Sequence, residues 1–352
     1  MLLPCWTLLT AAALACGQEA GPFVPEPRDP WQPAWELTLR GDRLSDPEAA
    51  SESFRRAGLQ LRLRWSWELD PVRFEVGTRS ALGSDSNRLN AARWDQQPSN
   101  GSQLDVARGT VSWSTARSFG ALNLGFQENG LMTSQALWDR DLRFLGAGFA
   151  AGVRGSEGLL QEAGLRAEAG RVRTILGGAS TLAAAQFVLK LDTGPWSWSA
   201  HAGRWSLAWD PGDERRRRLP GQDPTVRQRL DLDAGGAAGR WNAVLPVEAR
   251  WFRARNRATR ETSEEAQFTV GSTERLHWPQ VSYTWQRLSA TGTLYPANGD
   301  EWWFYRRARG PRYDVSLPLP GNWIVSAVLL RQTADGEDYR VTRTMVVLVK
   351  RF

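Results

Sequence analysis

The 352-residue chain contains very little cysteine, lysine or histidine. Its two cysteines, Cys5 and Cys16, both lie at the N-terminus, so the rest of the chain has no disulfide framework, thiol nucleophile or cysteine-ligated metal site. The two histidines, His201 and His277, stand in no metal-ligand motif. These absences leave little basis for catalysis, and we predict neither a metal nor a cofactor.

Long apolar runs are also missing, because no stretch approaches the ~20 residues of a membrane-spanning helix. Residues 2–16, LLPCWTLLTAAALAC, carry no charge and end in small residues, which is typical of a secretory signal peptide. We therefore predict a signal peptide over 1–17, cleaved after Ala15 or Gly17. The sequence before Cys16 also approximates a lipoprotein box, so Cys16 is either lipidated or removed. An exported chain without a spanning helix is secreted, periplasmic or in the outer membrane.

The composition combines many arginines with many tryptophans. All but two of the 44 basic residues are arginine, the formal net charge is +6 and the mean hydropathy is -0.44, averages that suggest a soluble protein. The 19 tryptophans exceed what core packing requires and indicate an interface. The arginines are spread along the chain among carboxylates and form no single stripe, so we predict no nucleic-acid partner.

Residues 58–69 alternate in polarity without a fault. Leucine or tryptophan occupies every odd position from Leu59 to Leu69, whereas Arg62, Arg64 and Glu68 lie on the other face. After a tight turn at 70–71 the alternation continues. The pattern predicts a β-hairpin with one apolar and one charged face, and similar alternation recurs at 122–127, 229–233, 241–251 and 312–317.

Alternation alone also fits a soluble β-sandwich, whose strands bury one face. Two features favour a membrane barrel instead. Many apolar faces begin or end with Trp or Tyr, as the aromatic girdles at the two membrane boundaries require. Short turns, including one predicted at 235–239 between strands 228–234 and 240–253, alternate with long polar loops. We therefore predict an all-β fold, a transmembrane antiparallel β-barrel with short periplasmic turns and long extracellular loops.

We count about 16 strands, with 14–18 as the range, in a barrel over residues 35–352 that follows a periplasmic segment over 18–34. The C-terminal sequence MVVLVKRF places Val346, Leu348 and Phe352 at alternate positions, with Lys350 where an apolar residue is usual. This end resembles bacterial outer-membrane barrels, in which a C-terminal aromatic residue is recognised by the barrel-assembly machinery. The resemblance implies that Phe352 is an assembly signal and that the protein lies in the outer membrane.

Residues 127–144 resemble the loop and strand of the putative-porin and alginate-export-like barrels of Gram-negative bacteria. The resemblance also rests on the spacing of hairpins over nearly the whole chain. It implies a porin for passive diffusion of small hydrophilic solutes, surrounded by outer-membrane lipid and lipopolysaccharide. The run of arginines at 215–218 is either a contact with lipopolysaccharide phosphates or a solvated loop. A monomer and a homotrimer are both compatible with the sequence.

If the apolar faces contact lipid, the charged faces line the lumen. An excess of arginine there predicts a weak preference for anions. A loop carrying Asp139, Arg140 and Asp141 either folds into the pore as a constriction or caps it from outside. The predicted pore-lining residues are Arg62, Arg64, Glu68, Arg73, Glu75, Arg79, Arg229, Asp231, Glu248 and Arg250.

Two other functions compete with a porin. His201 alternates with Ser197 and Ser199, which permits an outer-membrane barrel hydrolase with a serine–histidine site, although neither residue stands in a recognisable motif. A secreted all-β carbohydrate-binding protein would instead use the tryptophans as ligand platforms. We favour the porin and predict no catalytic residue.

Overall fold

The computed structural model describes residues 34–45, 54–84, 101–139, 142–155, 159–172, 180–210, 223, 226–274, 276, 278–294, 306–335 and 340–351. The predicted signal peptide, most of the 18–34 segment and Phe352 lie outside these residues. Within them the chain forms sixteen β-strands. Their bounds are β1 Ala34–Ser45, β2 Phe54–Leu69, β3 Val72–Ser84, β4 Gly101–Ser114, β5 Ser118–Glu128, β6 Arg143–Val153, β7 Leu160–Val172, β8 Thr181–Asp192, β9 Trp196–Trp209, β10 Gln228–Trp241, β11 Val247–Asn256, β12 Thr262–Val270, β13 Gln280–Leu288, β14 Ala308–Leu319, β15 Trp323–Ala334 and β16 Arg340–Arg351.

The sixteen strands close into one antiparallel barrel. Each strand pairs with its sequence neighbours, and β1 pairs with β16 from Glu36 opposite Arg351 to Ser45 opposite Thr342. Closure leaves no unpaired sheet edge, which is the condition for a sheet in lipid, where no water can satisfy the free backbone groups. The predicted fold class and the count of sixteen strands are confirmed.

None of the described residues belongs to a helix long and apolar enough to cross a membrane.

Most connections at one end of the barrel are short and most at the other end are long, although 271–279 at the short-turn end is longer than 257–261 at the long-loop end. Segments 70–71, 115–117, 193–195 and 320–322 link strands at the short-turn end, whereas 85–100, 129–142, 210–227 and 289–307 link them at the long-loop end. This division matches the periplasmic and extracellular rims of outer-membrane barrels.

The predicted turn at 235–239 is wrong, because these residues continue β10 and the chain turns at 242–246 instead. The run GGAAG reads locally as a turn, but its glycines make room for side chains of the adjacent strands. A Cβ added at Gly236 would lie 2.9 Å from the ring of His201. Tertiary packing therefore explains a composition that sequence alone assigns to a turn.

Apolar and aromatic side chains cover the outer face of the barrel. Leu124, Leu165 and Phe187 are exposed near mid-strand. Near the short-turn end Trp196 stacks on Trp198 and on Trp241, with ring centroids 5.8 and 6.0 Å apart. On the outer face of β11 to β14 a second aromatic group contains Trp251, Phe268, Trp285, Tyr283 and Tyr313. The first group corresponds to the aromatic girdle that the sequence predicts at the short-turn boundary.

The interior contains a hydrophobic core, which the prediction of charged faces lining the lumen did not include. Trp138, from the loop between β5 and β6, packs on Trp205 of β9 with centroids 6.3 Å apart. Around them lie other fully buried apolar side chains of this loop and of the inner wall: Leu131, Leu137, Leu142, Phe144, Leu182, Leu207, Trp209, Leu230, Leu232, Phe252 and Leu288. Part of the tryptophan excess therefore serves this core.

Candidate pore and its arginine-rich wall

Most of the predicted pore-lining residues point into the barrel. On β2 and β3, Arg62 lies opposite Arg79, Glu68 opposite Arg73, and Ser66 opposite Glu75, all on the face turned away from the exposed leucines. Arg64 shares this face. On β11, Glu248 and Arg250 also point inward and bind each other through an ion pair.

The prediction for Arg229 and Asp231 is wrong, because both lie on the outer face. On β10 the inward positions are Leu230 and Leu232, which are buried opposite Leu207 and Trp205. The Nε of Arg229 is 2.8 Å from Oδ2 of Asp231, and the Arg229 side chain is 65% exposed. Alternation defines the two faces of a strand but not which one is internal, and here the inserted loop makes the apolar face internal.

Asp105 is the centre of a buried ion network on the inner wall. The β3–β4 register shifts between Gly77 and Thr78, leaving Asp105 unpaired between Leu104 and Val106 as a β-bulge. Its carboxylate lies 3.0 Å from Arg79, 2.9 Å from Arg143 and 3.1 Å from Arg64. Three guanidinium groups therefore share one carboxylate that is 1% exposed.

Two further carboxylates extend this network along the wall. Glu128 binds Arg64 and lies 3.0 Å from Arg143. Glu75 lies 3.6 Å from Arg64 and accepts two hydrogen bonds from Arg108, at 2.7 and 2.9 Å. We call this surface the arginine wall. Its arginines are Arg62, Arg64, Arg73, Arg79, Arg108 and Arg143, and its carboxylates are Glu68, Glu75, Asp105 and Glu128.

Sequence reasoning missed Asp105, Arg108, Glu128 and Arg143. The bulge breaks the period of two on β4, so Asp105 and Arg108, three positions apart, both reach the interior. Glu128 and Arg143 lie at the two ends of the inserted loop and pair across β5 and β6. No alternating pattern marks residues at such positions.

The β5–β6 loop runs inside the barrel and is held at both sides. Near its start, the Gly130 N–H donates to Glu168 at 2.6 Å and the Met132 N–H donates to Gln186 at 3.0 Å. Farther on, Thr293 donates a hydrogen bond to the Ala136 carbonyl. Residues 129–139 of the loop therefore lie inside the barrel and do not cap it from outside.

This loop reaches across the inner surface from β7 and β8 to β14. Arg312 of β14 donates to the Gln135 side chain at 3.3 Å. Of the predicted constriction residues, Asp139 is buried next to Trp138, and Arg140 and Asp141 lie outside the described residues. The arginine run at 215–218 also lies outside them.

His201 belongs to the inner wall of β9. Its ring stacks on Phe252, with centroids 6.1 Å apart, opposite Gly236. Ser199 lies two residues away on the same face. Among the described residues, no group of three or more His, Cys, Asp or Glu side chains has an arrangement that would hold a metal ion.

A closed sixteen-stranded barrel with an apolar outer face, a charged inner wall and a loop folded inside defines the porin class of fold. Neither a protein-family model nor a curated protein sequence matches the chain. Solved structures do match it. OprB of Pseudomonas putida, in a high-pH structure, is similar with a TM-score of 0.64 and 7% identity, covering 92% of this chain and 94% of that chain.

Two further neighbours have the same architecture. OmpF of Salmonella typhi, in complex with daunomycin, has a TM-score of 0.55 and 10% identity over 94% of this chain and 100% of that chain. OmpT of Vibrio cholerae, an outer-membrane protein in its trimer form, has a TM-score of 0.51 and 10% identity over 92% of this chain and 100% of that chain. The chain therefore has the fold of bacterial outer-membrane porins, and its apolar outer face is the surface with which such barrels contact the outer membrane.

Proposed function

We propose that this protein is an outer-membrane porin, a water-filled channel for passive diffusion of small hydrophilic solutes. The observation that carries the proposal is the arginine wall, a charged surface turned inward in a closed barrel whose outer face is apolar. Charges of this kind remain stable inside a membrane protein when they pair with one another and border water. A packed, dry interior would not require so many ionised groups.

The inserted loop gives this channel two unlike sides. It packs on the inner surface from β7 to β14, and the partly exposed members of the arginine wall, among them Arg64, Arg108 and Glu128, border the solute path in this proposal, whereas Asp105 and Arg79 are buried. The wall members that keep some exposure are Arg62, Arg64, Arg73 and Arg108 against Glu68 and Glu128, and this excess of arginine favours anions over cations on that side. We also propose that Asp139, Arg140 and Asp141 of this loop form the constriction.

The two competing functions find less support. Stacking of His201 on Phe252 is the packing expected of a wall residue, and this contact does not support a hydrolytic site. A secreted carbohydrate-binding protein would leave the large apolar side chains of the outer face in water, where a contiguous patch of that size is unfavourable. We therefore propose no enzymatic activity.

The proposed partners follow from the same architecture. Val346 and Leu348 lie on the outer face of β16, and the ammonium group of Lys350 lies 5.0 Å from the Trp323 ring centroid, a cation–π contact that suits a membrane boundary. We propose that the barrel-assembly machinery recognises this last strand together with Phe352. We also propose a homotrimer, because the similar OmpT has a trimer form. We further propose that the chain is related to the putative-porin and alginate-export-like barrels.

The test is single-channel recording in a planar lipid bilayer under a salt gradient. We expect ohmic conductance and a reversal potential that indicates preference for anions. Arg108→Gln removes one inward charge and should shift the reversal potential toward cations, whereas Arg229→Gln, on the outer face, should not change it. Absence of conductance from correctly folded protein would refute the porin, and an equal shift in both variants would refute the proposed side for the solute path.

A further inference from the structure

An ion pair lies on the outer face of the barrel, between β9 and β10. Arg204 stands directly opposite Asp233, and the Nε atom of the arginine is 3.4 Å from Oδ1 of the aspartate. The two side chains are 73% and 55% exposed, so most of their surface is left uncovered within one barrel.

The depth of this pair places it within the apolar band of the barrel. Trp198 belongs to the aromatic group at the short-turn boundary, and Arg204 lies six residues farther along β9. At about 3.3 Å per residue and a strand tilt of about 40°, six residues rise about 15 Å. The apolar band of such barrels is about 25 Å tall, so the pair would face lipid chains if no other group covered it. Charged side chains in that position are destabilising, and a polar neighbour would remove the cost.

The outer face around the pair is concave and made of small side chains. In one row across neighbouring strands, Ala167 lies opposite Ala185 and Ala185 lies opposite Arg204. A groove of about 560 Å³ runs over this face, with Phe149 at one edge and Arg204 at the other. The small outer residues of β7 to β10 are Ala167, Ala169, Ala183, Ala185, Ala200, Ala202, Ser206, Gly235 and Ala237.

We propose that this face of β7–β10 is the contact surface between copies of this chain, with Arg204 of one copy against Asp233 of the next. The inference rests on the homotrimer of the proposed function and names the surface by which the subunits meet. Copies in one membrane share their depth and orientation, so the two opposite charges meet without a vertical shift. A rotation axis beside β9 and β10 repeats the same arginine–aspartate contact around the ring and closes it.

The same surface is poorly suited to lipid. Acyl chains offer no group that pairs with either charge, whereas a second copy offers both. Small side chains let two protein surfaces approach closely in a membrane, where association depends on packing rather than on escape from water. The concave alanine face and the exposed ion pair therefore favour the same occupant, a second copy of this chain.

Cysteine cross-linking in outer-membrane vesicles tests the surface. Both natural cysteines, Cys5 and Cys16, lie at the N-terminus, so Ala202→Cys places a single thiol on the barrel. A short bis-maleimide should link subunits of this variant into dimers on a denaturing gel, because Ala202 lies one step from Arg204 on the same face. Ala327→Cys, an exposed alanine on the outer face of β15, is the matched control and should stay unlinked.

Three outcomes of the cross-linking would overturn the proposal. The first is no linkage in Ala202→Cys, as expected if lipid alone covers the face. The second is equal linkage in both variants, which would indicate random collision. The third is linkage of Ala202→Cys only to a different protein.

Two further changes test the charges and the shape by light scattering of the full-length protein in detergent. Arg204→Asp brings like charges together and should lower the apparent mass about threefold, to that of one subunit, and the double exchange Arg204→Asp with Asp233→Arg should restore it. Ala202→Trp adds bulk at the contact and should also give single subunits, whereas Ala327→Trp should keep the mass of the wild type. Single subunits in the wild type, or an unchanged mass in Ala202→Trp, would overturn the proposal.

The result is separable from the test of the proposed function. The channel lies inside each barrel, so Ala202→Trp should keep the wild-type conductance per barrel. A wild type that associates through this face but conducts no ions would refute the porin and still support the contact surface.

Discussion

Substitution of Asp105 should destabilise the barrel more than substitution of any exposed acidic residue. The Asp105 carboxylate is buried and is the shared partner of Arg64, Arg79 and Arg143, at 3.1, 3.0 and 2.9 Å. Asp105→Asn keeps the size and one oxygen acceptor but removes the negative charge. Arg79, which is 1% exposed, then loses the carboxylate that offsets its desolvation.

Removing one partner of a buried ion pair costs about 3–5 kcal/mol, since an uncompensated buried charge remains. We expect this loss in the free energy of unfolding, measured by reversible urea denaturation in lipid vesicles with extrapolation to zero denaturant. Asp231→Asn is the matched control, because Asp231 pairs with Arg229 on the outer face, and an exposed pair contributes about 0–1 kcal/mol. Equal losses in the two variants would refute the argument that the Asp105 network stabilises the wall.

Two further substitutions test the outer face and the inserted loop. Leu165→Arg, at mid-strand on the outer face, should lower the free energy of unfolding by about 2–4 kcal/mol in the same urea assay. Leu69→Arg, at the short-turn rim, should lower it by only about 0–1 kcal/mol. Equal losses would contradict the assignment of Leu165 to the lipid-facing band. Trp138→Ala should lower the free energy of unfolding by about 3–5 kcal/mol and raise single-channel conductance, because the loop loses its buried packing against Trp205. The exposed Trp113→Ala is its control, and wild-type conductance in Trp138→Ala would show that the loop stays docked without this contact.

The strand architecture was largely predictable from local sequence. An alternating pattern such as 58–69 depends only on the period of two along a strand, and the barrel follows from many such strands with aromatic ends. The error at 235–239 has a local cause as well. Glycine and alanine are small, and small residues occur in turns. They also occur in strands where a neighbouring side chain, such as the His201 ring, needs the space.

The candidate site was predictable only where regular alternation holds and the charged face is internal. This is true of β2 and β3, where Arg62, Arg64, Glu68, Arg73, Glu75 and Arg79 share the inner face. Asp105 escaped because a bulge depends on the pairing with β3 and leaves no periodic signal in β4 itself.

The sequence by itself determined that the chain forms alternating strands and which residues share a face of each strand. Only the tertiary structure decided which face is internal. On β2 the charged face is inside, whereas on β10 Leu230 and Leu232 are inside and Arg229 is outside. The physical reason is that the loop carrying Trp138 folds into the barrel and needs an apolar surface to pack against, and that contact joins residues far apart in the chain.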